Sequence, residues 1–276
     1  MKKPLKDILL EFRKNNKSIL AFNLQNLYQL EAANLISDKL KLPLIIQFSE
    51  RFLRFLDKKY GIDFIINKFS NDFVYFHLDH CIDLEFIKFC IDSKFDSVMY
   101  DGSSFDIDTN IINSNTIINY ASKSGCLVEG ELGKVSGVED GFGDEGSSYA
   151  EIDEILRYVK ETRIDLMALG IGNAHGFYED LGVLRMDILK EASHKLNKDQ
   201  FFVLHGGTGL PDKIIREVIG YGVVKINVST QIKKKTIDIL KLYLKENELY
   251  NEISFNTIMI MELSQLFESY LLKYTK

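Results

Sequence analysis

Three histidines, His80, His175 and His205, each follow a short apolar run. Imidazole is a natural ligand for zinc or a similar divalent ion, and three protein ligands with an open position make the catalytic arrangement. Asp79 abuts His80. A carboxylate there is placed to move protons as a general acid or base on a metal-bound substrate, or to orient a ligand. Asp101 and Glu131 are further carboxylates at the ends of apolar runs, able to hold an alternative metal position or to fix the ligands. Only two of the five histidines are left over. His77 lies two residues before Asp79, so strand alternation turns both to the same side, where His77 can support the site. His194, in Glu191-Ala192-Ser193-His194-Lys195, falls on a solvated helix face.

A second group of residues suits an anion. In His205-Gly206-Gly207-Thr208-Gly209, glycines let backbone N–H groups approach closely and a hydroxyl adds a donor. Asn227-Val228-Ser229-Thr230 supplies amide and hydroxyl donors after the last apolar run. No Gly-Lys-Ser/Thr follows, so this is not a Walker loop. The acidic, Gly-rich stretch 133–148 reads as a functional lid or a solvated loop. Its Glu139 is a candidate for a mobile catalytic carboxylate.

The elements that position these residues show as short apolar runs: Ser18 to Asn23, Leu42 to Phe48, Phe73 to Leu78, Ser97 to Tyr100, Cys126 to Leu132, Ile164 to Ile171, Phe201 to Leu204 and Val223 to Val228. Between them, apolar residues fall at helical spacing, as in Leu84, Ile87, Ile91 and in Ile152, Ile155, Leu156, Val159. Continuous apolar strands alternating with amphipathic helices imply parallel βαβ units, covered on both faces. Eight such runs suit an α/β fold of the (β/α)8 barrel type, with a doubly wound sheet as the competing architecture. In a barrel, the polar run ends converge on the C-terminal face of the parallel strands, where such folds place their active site.

Length and composition agree. The 276 residues predict one barrel domain over 1–276 with a divergent helical tail from about 241 to 276, and no Pro/Gly/Ser-rich linker divides the chain. At 46% hydrophobic and 27% charged residues the chain is neither disordered nor collagen-like. A net charge of -6 argues against a nucleic-acid or anionic-membrane partner, though not against a local cationic pocket for a phosphorylated metabolite. No window is apolar enough to span a bilayer. Cys81, Cys90 and Cys126, odd in number and widely spaced, read as small buried residues of a cytoplasmic protein.

Taken together, these segments resemble the class II, metal-dependent ketose-bisphosphate aldolases of the fructose and tagatose type. The likeness runs through Phe22-Asn23, Gln47-Phe48-Ser49, His77-Leu78-Asp79-His80, Ser97-Val98-Met99-Tyr100-Asp101-Gly102-Ser103 and Val128-Glu129-Gly130-Glu131-Leu132-Gly133. It continues through Ile171-Gly172-Asn173-Ala174-His175-Gly176, Val203 to Pro211 and Lys225 to Thr230, in family order over about residues 5–240. The resemblance implies a zinc-dependent (β/α)8 barrel in which His80, His175 and His205 hold the catalytic metal. It implies that Asp79 exchanges a proton with the aldehyde-derived hydroxyl. Asp101 and Glu131 match positions linked to a second or resting metal site, for a further divalent or a monovalent cation. Glu139 matches a loop glutamate that abstracts a proton from dihydroxyacetone phosphate. Gly176, Gly206, Gly207, Thr208 and Asn227, Val228, Ser229 and Thr230 look like the cradle for that triose phosphate, and Ser49 matches a phosphate-contacting serine. A phosphosugar substrate and a homodimer or homotetramer are implied as partners.

The departures concern substrate more than chemistry. Ser229 and Lys233 stand where fructose-type enzymes carry Asp and Arg, and the tagatose type has lysine as here. Asn173 replaces a Thr or Ser, and Arg51-Phe52-Leu53 replaces small residues after Ser49. The tail lacks the family's Gly/Ser-rich segment. The reading is an aldolase acting on a ketose 1,6-bisphosphate, with a different phosphosugar of a specialised pathway as the alternative. A metal-dependent hydrolase barrel would carry a His-x-His pair on its first strand, yet the first run ends in Phe22-Asn23-Leu24. A non-catalytic metabolite-binding relic would have lost a metal ligand, and all three histidines are present.

Overall fold

The apolar runs become the strands of a closed parallel barrel in the order β1 to β8: Ile19–Asn23, Leu44–Ser49, Val74–Cys81, Ser97–Tyr100, Leu127–Leu132, Leu166–Leu169, Phe201–Leu204 and Val223–Val228. This computed structural model describes residues 2–135, 137, 148–176, 178, 181, 184–197, 200–246 and 251–276. The helices are α1 (Leu5–Lys14), α2 (Leu27–Leu40), α3 (Glu50–Tyr60), α4 (Ile62–Phe69), α5 (Leu84–Asp92) and α6 (Ile107–Ala121), then α7 (Ile152–Thr162), α8 (Met186–Lys195), α9 (Asp212–Gly220), α10 (Thr230–Glu246) and α11 (Glu252–Tyr274). Strands and helices alternate around the ring, so the barrel replaces the doubly wound sheet as the architecture. Closure leaves no strand edge to protect. Every strand residue is buried, because one face lines the barrel and the other meets the helices.

The inward face changes character along each strand. Ile19, Ala21, Ile45, Tyr75, Leu127, Phe201 and Val203 form an inner apolar cluster with Leu5, Leu9 and Phe12 of α1, which plugs the N-terminal end of the barrel. Two residues further on, the period of 2 brings Asn23, Gln47, His77, Glu129 and His205 to the same inward face, and then Ser49, Asp79 and Glu131. The barrel is thus packed with carbon at its base and with polar groups at its mouth.

Two bulges break the alternation. From Leu78 to Cys81, β3 advances three residues while β4 advances two, from Val98 to Tyr100. The extra residue lets the adjacent Asp79 and His80 both face inward, and His80 takes a left-handed φ of 45°. β3 therefore extends through the reactive residues, three past the apolar run. On β8, Val223 pairs with Phe202 and Lys225 with Val203, so Val224 is the inserted residue. It joins the inner apolar cluster, and Lys225 and Asn227 follow it into the interior.

Close approach fixes the helices around β5. A methyl at Gly130 would lie 2.1 Å from the Tyr158 hydroxyl of α7, and one at Gly102 would lie 2.1 Å from Asn110 Oδ1 of α6. At the tail, α11 lies against α2 and β1, with Phe267 stacked on Phe22 at 4.6 Å between ring centroids. No helix of the described residues is long and apolar enough to cross a membrane.

Candidate active site

The bulge on β3, the chain after β6 and the end of β7 bring His80, His175 and His205 together. One ligand atom of each lies within 4.8 Å of the others. Their rings stand 4.7 Å (His80–His205), 5.3 Å (His80–His175) and 6.3 Å (His175–His205) apart. Neither His80 Nε2 nor His205 Nδ1 has a hydrogen-bond partner, although both are buried. Such atoms cost free energy unless something satisfies them. The other nitrogen of each ring is engaged: His80 Nδ1 meets Asp101 Oδ2 at 2.7 Å, and His205 Nε2 meets Glu129 Oε1 at 2.8 Å. Carboxylates that accept those protons leave the free nitrogens bare and pointing into one space. This is the usual arrangement around a metal-binding imidazole. The donor set therefore fits a divalent ion of the zinc kind.

Glu131 contributes a second possibility. Its Oε2 is buried without a hydrogen bond, 3.5 Å from His205 Nδ1 and 3.9 Å from His80 Nδ1. Burial, and then Asp101, push its carboxyl well above the usual carboxylate range. His80, Asp101 and Glu131 form another group whose ligand atoms lie within 4.8 Å. Asp101 thus serves His80 as hydrogen-bond acceptor and is also placed to bind a cation itself.

Asp79 is 2% exposed. Its Oδ2 accepts from Asn23 Nδ2 at 3.1 Å, and Asn227 Nδ2 lies 3.4 Å from its Oδ1. Burial works to raise its carboxyl, but the positive charge around it, from His80 foremost, outweighs that and holds it below its ordinary value. It is an ionised base aimed by two amides. His77 does face the same interior, 3.9 Å from Asp79. Burial, and then Lys225, push its imidazole down to about 3, so it is neutral.

The anion-binding residues gather beside the histidines. Asn173 accepts from the Ile171 N–H at 2.9 Å and donates to the His205 carbonyl at 3.1 Å. Tyr178 donates to the Gly206 carbonyl at 2.8 Å and accepts from the Ala174 N–H at 3.2 Å. These bonds tie the chain carrying His175 to the end of β7. Gly206 needs its φ of 67°, and a methyl there would sit 2.1 Å from the Ala174 carbonyl oxygen. Gly176 has a φ of 113° with open space beside it. Thr208 and Ser229 are buried, and Ser229 Oγ has no hydrogen-bond partner. Thr230 opens α10. The Gly207 N–H is spent on the Asn227 carbonyl at 3.0 Å, and Val228 packs into the outer core, so its backbone alone is available. Ser49 closes β2 in register with Asp79. It lines a cavity of about 360 Å³ with Gln25, Arg51, Phe52 and Phe55. Glu139 lies outside the described residues. The stretch holding it is clamped at its base, where Lys134 and Ser148 exchange N–H···O bonds of 2.8 and 3.4 Å.

The model of the class II fructose-bisphosphate aldolases matches residues 3–271 of this sequence. The chain belongs to that family. It is an aldolase, an aldehyde-lyase. It is 34% identical over 232 residues to a 6-phospho-5-dehydro-2-deoxy-D-gluconate aldolase of Halalkalibacterium halodurans, covering 82% of this chain and 80% of the relative. It is 33% identical over 232 residues to a fructose-bisphosphate aldolase of Staphylococcus aureus, with the same coverage of 82% and 80%. The crystal structure of a fructose-bisphosphate aldolase from Campylobacter jejuni superimposes with a TM-score of 0.81 at 22% identity, covering 98% of this chain and 93% of that one.

At the level of sequence, Lys225 and Glu129 were named only inside the segments that carry the resemblance, without a role for either. Lys225 Nζ lies 2.9 Å from Glu129 Oε2 and 3.3 Å from His77 Nε2. Burial works to raise Glu129, but Lys225 foremost, with the hydrogen bond from His205, outweighs it and holds the carboxyl well below its usual range. A lysine inside the apolar run Val223 to Val228 was the available signal. Gln47, named likewise in Gln47-Phe48-Ser49 without a role, is fully buried, and neither polar atom of its amide has a hydrogen-bond partner.

Proposed function

We propose that this aldolase reversibly cleaves a six-carbon ketose phosphate, of the 1,6-bisphosphate type, to dihydroxyacetone phosphate and an aldehyde. The observation that carries the reading is the pair of bare, buried nitrogens on His80 and His205, grouped with His175 beside an ionised Asp79. His80, His175 and His205 would hold zinc, with Asp101 and Glu131 available to a second or resting cation. When bound, zinc supplies Lewis-acid stabilisation of the negative charge left on the triose phosphate.

The chain's own residues do the rest. Asp79 takes the proton of the C4 hydroxyl as the C3–C4 bond breaks. The bonding electrons pass to the triose phosphate as an enediolate, and Glu139 returns a proton to its C3. Asn23 and Asn227 aim Asp79 for that transfer. Gly176, Gly206, Thr208, Asn227, Val228, Ser229 and Thr230 form the cradle for the C1 phosphate, with Gly207, whose N–H is spent on Asn227, as part of its wall; the backbone there and the start of α10 suit an anion.

One observation bears on the far end of the substrate. Arg51 lines the cavity that Ser49 shares, and no carboxylate among the described residues pairs with it. Ser49 is in register with Asp79, so this cavity adjoins the side of the site where the aldehyde forms. A guanidinium there suits phosphate or carboxylate at the far end of the sugar. The names of the relatives carry both: a bisphosphate and a phosphorylated sugar acid. The three cysteines are buried and unbridged, which suits the reducing cytoplasm. The test is metal analysis with a coupled assay for dihydroxyacetone phosphate on fructose 1,6-bisphosphate, tagatose 1,6-bisphosphate and 6-phospho-5-dehydro-2-deoxygluconate. Bound zinc and release of the triose phosphate from at least one are expected. Bound zinc with no release from any would sink the reading.

A further inference from the structure

Beneath the histidines lies a second polar layer with no part in the proton transfers above. Ser97 Oγ meets His77 Nδ1 at 2.8 Å. Lys225 Nζ meets His77 Nε2 at 3.3 Å and Glu129 Oε2 at 2.9 Å. Glu129 Oε1 meets His205 Nε2 at 2.8 Å. The path ends at His205, whose Nδ1 has no hydrogen-bond partner and lies 3.5 Å from Glu131 Oε2, in the group formed with the other two histidines. Lys225 is 1% exposed, and His77, Glu129 and His205 are fully buried.

The hydrogen-bonding roles along this path are forced. An ammonium can only donate, so His77 Nε2 must accept, and its Nδ1–H then goes to Ser97. A carboxylate can only accept, so Glu129 Oε1 takes the Nε2–H of His205, while its Oε2 ion-pairs with the Lys225 ammonium 2.9 Å away. An ion pair from β8 at one oxygen and a hydrogen bond from the end of β7 at the other hold the carboxylate in place. His205 is left with its Nδ1 lone pair turned to the site. The bulge on β8 is what aims Lys225 at this position.

We infer that Lys225 is a positioning residue of the metal site: through Glu129 it fixes the ring orientation and tautomer in which His205 presents Nδ1 to the metal. The inference rests on the zinc-site reading given above. A lysine that merely balanced a buried carboxylate would change stability and leave metal affinity alone. A positioning lysine changes metal affinity in a folded protein.

The experiment measures zinc dissociation by competition with a chromogenic chelator, alongside thermal melting of each protein. Lys225→Met should weaken zinc binding by about 10- to 100-fold, the usual effect of losing an outer-shell partner. Lys225→Met combined with Glu129→Gln should recover most of that loss. The glutamine carbonyl accepts from His205 Nε2, its amide N–H₂ turns to His77 Nε2, and no unpaired charge stays buried. Lys225→Met with Glu129→Leu, equally neutral but lacking an acceptor, should stay weak. Wild-type affinity in folded Lys225→Met would overturn the inference. So would equal zinc affinity in the two double variants, a comparison that stands even if the single variant fails to fold. If wild-type protein bound no zinc, the metal-site reading itself would fall.

Discussion

Asp79 combines three properties that a proton-transfer group needs: it is ionised, it is almost sealed from solvent, and amides from β1 and β8 hold its oxygens. Asp79→Asn keeps the size of the side chain and removes the basic oxygen. Turnover is expected to fall by about 10²- to 10⁴-fold, the contribution of a positioned general acid or base, with zinc content unchanged. Near-normal turnover would assign the reaction's proton to another group. His205→Ala, in contrast, should lose metal, and unaltered zinc content by elemental analysis would remove His205 from the ligand set. At this scale much of the site was legible. Histidine is rare in this sequence, and its placement after apolar runs carries chemical meaning. Lys225 and Glu129 were harder to see, because their significance lies in which strands face each other across the barrel. Spacing along the chain does not carry that information.

Elements place these residues by breaking their own regularity. A period of 2 correctly put His77, Asp79, Glu129 and Glu131 on one face, but it would have turned His80 outward. The bulge between Leu78 and Cys81 corrects this, and it exists only as a mismatch between β3 and β4. A single strand's sequence cannot show it. Between Glu129 and Glu131 the limit is volume. Gly130 admits the Tyr158 hydroxyl, which in turn meets Ser114 Oγ of α6 at 2.7 Å. Gly130→Ala would drive a methyl into that hydroxyl, and overpacking of this kind costs about 1–3 kcal/mol. The melting temperature should drop by several degrees, and Tyr158→Phe in the same chain should return part of it. A Gly130→Ala protein that melts like wild type would show that α7 can retreat from β5 without cost.

The whole barrel was readable because parallel strands covered on both faces leave continuous apolar runs. The seat of α11 across β1 and α2 was not, since Phe267 against Phe22 is a contact between the two ends of the chain. The same closure makes metal binding a property of the whole molecule. His80 lies on β3, His205 just past β7 and His175 beyond β6, so a shared ion joins β3 to the β6–β7 side of the ring, to which no hydrogen-bond ladder connects it directly. An ion that binds the folded chain alone stabilises it by about 4 kcal/mol at a free concentration a thousandfold above its dissociation constant. In a chain of this size each kcal/mol shifts melting by roughly 2–4 °C. Removing metal with a chelator should therefore lower the melting temperature by on the order of 10 °C, and added zinc should restore it. His175→Ala should melt at the same temperature with or without zinc. If stripped and reloaded wild-type protein melted together, the three histidines would not be acting as one site.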